Sequence, residues 1–99
     1  MENNEVVYDQ EKEKLAQIRM IAEKSAKSHL NKALSNKNLN LIIHDIAKNL
    51  ENQIPDIQNY ISCIDYKIDS SLEKGIINIK FHTDIILKHR IKDIKMIIS

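Results

Sequence analysis

Histidine, cysteine and closely spaced acids are the residues with which a chain of this size does chemistry, and here they are scattered. His29, His44, His82 and His89 are far apart in the sequence. His82 and His89, the nearest pair, share no face of a strand and only loosely a face of a helix, so no metal site is expected. Cys63 is the single cysteine. As a nucleophile it would need a neighbouring base and a backbone donor for the developing anion. On an alternating strand it falls on the face away from Ile64 and Tyr66, where an unpaired cysteine serves as a small apolar filler. Asp65 and Asp69 share that face with Lys67 between them, a pattern that suits a surface ion-pair ladder and not an acid–base pair. The one glycine excludes a phosphate-cradling loop. No catalytic residue, metal or cofactor is expected, and the chain reads as non-enzymatic.

Binding chemistry is better represented. Lys88, Arg90, Lys92 and Lys95 make the last segment basic, while Glu2, Glu5, Asp9, Glu11 and Glu13 make the first acidic. On a terminal helix Lys88, Lys92 and Lys95 would line one face with Arg90 at its rim, a stripe that can run along phosphates. Asp84 and Asp93 dilute it. Tyr60, Tyr66 and Phe81 would suit base stacking, but their alternation matches a core face. A small nucleic-acid-binding regulator using the four basic residues is therefore the alternative function. The formal charge of +1 provides no bulk attraction to nucleic acid or anionic lipid.

The elements that must position these groups change character once along the chain. The only proline, Pro55, separates a helix-patterned half from a strand-patterned one, and the only glycine, Gly75, lies between two alternating runs. Residues 1–8 carry no period and read as a loose arm. From Asp9, a plausible N-cap, Leu15, Ile18, Ala22, Ala26, Leu30 and Ala33 recur at spacings of three and four, which predicts a helix with one apolar face. That helix either breaks near residues 27–28 or overhangs its own core. Its small residues Ala22, Ser25 and Ala26 allow close approach and are candidate protein-interaction residues. After a polar connector at 35–38, with Asn38 or Asn40 as cap, Leu39, Ile42, Ile43, Ile46, Ala47, Leu50 and Ile54 form the face of a second helix. Pro55 ends it by about Gln53. The short joint implies an antiparallel helical hairpin over 9–54.

Beyond Pro55 the period becomes two. Residues 60–69 and 76–82 predict a β-hairpin pairing Ile68 with Ile77, Tyr66 with Ile79 and Ile64 with Phe81, its polar loop closed by Gly75 at positive φ. Ile61 and Cys63 would then share the outer face as candidate contact residues. The last segment, 84–98, reads either as a third strand through Ile85, Leu87, His89 and Ile91 or as a helix capped by Thr83 with Leu87, Ile91, Ile94 and Ile98 on its face. The run Tyr60, Ile61, Ser62, Cys63, Ile64 is similar to the first core strand of dynein light chains, whose order of elements is compatible. The charged final segment departs from their buried last strand, and no functional position carries over.

With 99 residues, 42% hydrophobic and 29% charged, the chain fits one α+β domain: two N-terminal helices, a β-hairpin or small antiparallel sheet, and a C-terminal helix or third strand. A single cysteine and the lack of a long apolar run make a cytoplasmic protein the expectation, with no membrane partner. A small sheet leaves edges that must be covered or used. The function expected is a non-enzymatic protein–protein interaction module, an adaptor, chaperone-like binder or inhibitor, acting as a homodimer.

Overall fold

A computed structural model of the chain describes residues 2–29 and 33–98, with side chains from residue 11 onward within those ranges. The elements follow the order α1 (Glu2–Lys27), α2 (Asn36–Gln53), a 3-10 turn (Ile57–Asn59), β1 (Ile61–Asp69), β2 (Lys74–Phe81), α3 (Thr83–His89) and β3 (Ile94–Ile98). This is the α+β architecture expected, but the last segment follows neither of its readings. A short helix occupies Thr83–His89, where the strand was expected to begin, and a strand occupies Ile94–Ile98, where the helix face was expected to end.

α1 begins at Glu2, so the turns expected to start at Asp9 start earlier, and residues 2–8 are helical instead of a loose arm. No glycine or proline interrupts the stretch, and Glu, Gln, Lys, Ala and Met are good helix formers. The helix stops at Lys27. There the Ser28 hydroxyl donates to the Ser25 carbonyl at 2.7 Å and takes one of the carbonyls orphaned at a helix end. Leu30, expected to continue the stripe, lies outside the described residues, and Ala33 lies in the connector.

α2 is capped by Ser35, whose hydroxyl accepts from the Asn38 amide at 3.2 Å. Asn38, one of the two expected caps, instead turns its side chain back to donate to the Ala33 carbonyl at 2.6 Å. Serine wins because its short side chain reaches the N3 amide from an extended backbone. The helix ends at Gln53, before Ile54 and Pro55, as the proline requires. Three links show that α1 and α2 run antiparallel. Lys14 pairs with Asp56 at 3.0 Å, Asn49 Nδ2 donates to Ser25 Oγ at 2.8 Å, and His29 meets Asp45 at 2.5 Å. One partner's number falls as the other's rises.

The three strands form one antiparallel sheet in the order β1-β2-β3. α2 packs against β1 and β2, and α1 against β3. Ile18, Leu39, Ile42, Ile46, Leu50, Ile77, Ile79 and Ile94 fill the space between the two layers and are fully buried.

The hairpin register differs from the expected one by two residues. Ile68 faces Gly75, Tyr66 faces Ile77, and Ile64 faces Ile79. The apolar faces still coincide, because a shift of two preserves the pleat. The loop is shorter than expected, residues 70–73, because the Asp69 carboxylate accepts from the Ser71 hydroxyl at 2.6 Å and the Leu72 amide at 3.3 Å. Glu73, at φ 52°, takes the left-handed position, and Gly75 has no positive φ. Glycine is needed at 75 for space. A Cβ there would fall 2.9 Å from Leu34 Cδ1 and 3.0 Å from Leu39 Cδ2.

Candidate functional site

The residues with chemical potential are engaged separately. His82 Nε2 meets the Gln58 carbonyl at 2.9 Å, His29 meets Asp45, and His89 meets Glu11 at 2.5 Å, while His44 is exposed. No group of three histidine, cysteine or acidic side chains among the described residues is placed to hold a metal ion. Cys63 is exposed on the outer face of the sheet opposite Lys80, and Asp65 forms its ion pair with Lys80 at 3.0 Å.

Two of the expected contact surfaces are rearranged. Ala22, Ser25 and Ala26 are buried, at 0%, 6% and 3% exposure. Ser25 lies in the seam between α1 and α2, where its hydroxyl donates to the Ile21 carbonyl at 2.8 Å and accepts from Asn49 Nδ2, whereas Ala26 lies beside β3. Most of the surface of these three residues is used inside the protomer. Ile61 does not share a face with Cys63. The register slips by one between them, so Ile61 faces Phe81 and Cys63 faces Lys80, leaving Ser62 as the extra residue. Such a bulge reverses the side-chain alternation. Ile61 therefore packs against the core, and Cys63 alone stays outside.

The basic stripe also divides. α3 is capped by His82 without a side-chain hydrogen bond, so Thr83 is its first residue and not its cap, and it ends at Arg90, which turns left-handed at φ 52°. Lys88 lies on α3, Lys92 in the turn and Lys95 on β3. Lys88 bonds to Glu11 of α1 at 3.3 Å. Burial pushes the Glu11 carboxyl up, but hydrogen bonds from Lys88 and His89 outweigh it and hold the group below the ordinary carboxylate range.

What remains is the sheet's boundary. Along β1 the inward row is only partly covered: Ile64, Tyr66 and Ile68 are half-buried, whereas Ile77 and Ile79 on β2 are fully buried and Ile94, Met96 and Ile98 on β3 are buried. α2 stops short of β1's outer side and leaves an apolar notch of about 90 Å³ bounded by Ala47, Leu50, Ile61 and Ile64.

β3's boundary is different. One cleft of about 260 Å³ lies between α1, at Lys12, Leu15 and Arg19, and the approach to β3, at Ile91, Lys92 and Ile94. A second of about 290 Å³ lies between Glu23, Ala26 and Lys27 of α1 and Lys95 to Ile98 of β3. Residue numbers rise together on both walls, so the two clefts follow one another along the space between α1 and β3, hereafter the trough. From Lys12 to Lys27 α1 rises about 22 Å, and β3 from Ile94 to Ile98 spans about 13 Å beside it, with residues 91–93 leading into it. Residues from both faces of β3 line the trough, Met96 from inside and Ile97 from outside, which places it along the strand's edge.

Lys12 and Arg19 were not singled out from the sequence, although their spacing of seven puts them on one helix face. Nothing local indicated that Lys92 would come opposite. No helix among the described residues is long and apolar enough to cross a membrane. Comparison with protein families, curated proteins and solved structures finds no match, and the likeness of the run from Tyr60 to Ile64 to dynein light chains extends no further.

Proposed function

We propose that the protein is a non-enzymatic protein–protein interaction module, an adaptor, chaperone-like binder or inhibitor, that works as a homodimer joined along β1. The supporting observation is the half-covered apolar row of Ile64, Tyr66 and Ile68 on an edge strand with no neighbour beyond it among the described residues. An edge strand with an uncovered apolar row is a template for another strand.

The strand is self-complementary in one antiparallel register. With a two-fold axis at Tyr66, each Lys67 lies opposite Asp65 of the second copy and each Ile68 opposite its Ile64, while the two tyrosines meet on the axis. Cross-strand pairs of opposite charge and of apolar side chains each contribute about 0.2–1 kcal/mol, and like charges would cost energy. Lys67 has no ion pair within the described residues. A reducing, cytoplasmic setting, in which the exposed Cys63 stays a thiol, belongs to the same proposal. Binding of nucleic acid through Lys88, Arg90, Lys92 and Lys95 has less support, because Lys88 is held by Glu11 and the others sit on different elements.

The test is sedimentation velocity across micromolar concentrations. A dimer that Tyr66→Lys converts to a folded monomer supports the reading, since the substitution sets two ammonium groups side by side on the axis. A monomer at every concentration, or a dimer indifferent to Tyr66→Lys, removes it.

A further inference from the structure

We propose that the open edge of β3 accepts an extended acidic peptide of a partner protein as a fourth strand, laid in the trough between β3 and α1. The inference rests on the reading of the protein as an interaction module but uses a different edge from the dimer. Three observations combine. β3 is the last strand of the sheet and has no bulge, so alternate residues turn an amide and a carbonyl toward the trough. The trough runs along the whole strand with an apolar floor that includes Ile94 and Met96. Its lining carries Arg19, Lys27, Lys92 and Lys95 with Lys12 against Glu23, while the nearby carboxylates of Glu11 and Asp93 are engaged by His89 and the Phe81 amide.

None of Arg19, Lys27, Lys92 and Lys95 makes an ion pair within the described residues, in contrast to Lys14, Lys80 and Lys88. Added strands draw affinity from main-chain hydrogen bonds and specificity from alternate side chains. Here one set of alternate side chains would face the apolar floor and the cations of α1. The other would lie beside Lys95 and the 58%-exposed Ile97 on the outer face. A sequence alternating acidic and branched apolar residues satisfies both sets. The same charges disfavour a second copy at this edge, since pairing β3 with itself would bring two cationic rims together.

The experiment measures fluorescence anisotropy of a labelled peptide alternating glutamate and valine, against a control alternating lysine and valine. The acidic peptide should bind and the lysine peptide should not. Raising NaCl from about 0.1 M to about 1 M, which shortens the Debye length from about 10 Å to about 3 Å, should weaken binding at least about tenfold. The double substitution Arg19→Glu and Lys95→Glu lies at exposed positions and should abolish binding without altering the circular dichroism spectrum. N-methylation of alternate peptide amides should block binding in one phase of the alternation and spare it in the other, which charge attraction alone does not predict.

Equal binding of the lysine peptide, indifference to the double substitution, or equal tolerance of both methylation patterns overturns the proposal, as does no binding at low salt. If Arg19→Glu with Lys95→Glu changes the sedimentation of the unliganded protein, the edge joins copies of the chain and the peptide assignment is wrong. Tyr66→Lys should leave peptide binding within about twofold, additive with changes at β3 because the edges share no partner. A failed dimer and a failed peptide site are thus read separately.

Discussion

The two edges of one small sheet differ in how their helices cover them. α1 lies over β3 and buries its inward row, then stands far enough to the side to leave a cationic trough. α2 lies over β1 and β2 and leaves β1's inward row half exposed, beside a strand whose outward charges alternate in sign. One edge is thus apolar and self-complementary, and the other is hydrogen-bonding and positively charged. An edge left open by a fold does not specify its occupant. The side chains flanking it do, because the backbone groups are the same in both cases.

The largest effect that would break this contrast is at the dimer axis. Tyr66→Lys should raise the dimer dissociation constant about a hundredfold, in the range of a central anchor at an interface, by sedimentation velocity. Gly75→Ala comes next. Gly75 faces Ile68 of β1 and Ile98 of β3, so it lies between the two edges. The added methyl presses on Leu34 and Leu39 and should lower stability by about 1–3 kcal/mol in urea unfolding, as overpacking does. Dimer formation and peptide binding should fall together. Loss of only one would mean that the edges are not built on a common strand in the way described.

Glu11→Gln tests the β3 side alone. His89 is buried, and Glu11 fixes it and Lys88 to α1. Weakening that bond should cost about 1 kcal/mol, read by thermal melting, with the dimer unaffected. The pH dependence has a definite sign. Because the Glu11 carboxyl titrates below its ordinary 4.5 in the folded protein, its contribution is present above that value and is lost as pH falls through the lower folded value. Glu11→Gln should flatten the acid limb of the stability curve. The smallest effect is Lys67→Glu. It sets like charges opposite each other in two symmetric pairs of about 0.2–1 kcal/mol each, so the dimer should weaken a few-fold. Added salt should reduce that difference.

The residues legible in sequence were those whose signal is local. The apolar stripe of α2 and the stop before Pro55 were readable because helix period and proline sterics act within a few residues. The same holds for β1 and β2 as alternating runs. Their register was not, because it depends on which loop residues turn, and Asp69 closes the loop earlier than Gly75 would. The bulge at Ser62 carries no compositional mark, yet it turned Ile61 from the expected outer face to the inward one, half-buried against the core. Residues 84–98 were ambiguous because isoleucine-rich, lysine-rich sequence satisfies helix and strand periods alike. The chain uses α3 to turn and β3 to pair.

The candidate interaction residues show the same division. Ala22, Ser25 and Ala26 were read as a surface for close approach of a partner, but they are buried within the protomer, Ser25 against α2 and Ala26 beside β3. Lys92 and Lys95 were noticed for charge alone, and Arg19 and Lys12 beside Lys92, like Lys27 beside Lys95, come from a helix more than sixty residues earlier.

By itself the sequence determined the types and order of the elements as far as β2, the faces that turn inward on α1, α2 and β2, and the change from helical to strand period at Pro55. Hydrophobic spacing and backbone sterics act over a few residues and need no partner to be read. Tertiary structure alone decided which strand edges stay open, which apolar row is left half covered and which cations converge on one trough. Those follow from where two helices come to rest on three strands, a contest among long-range contacts that no short stretch of residues encodes.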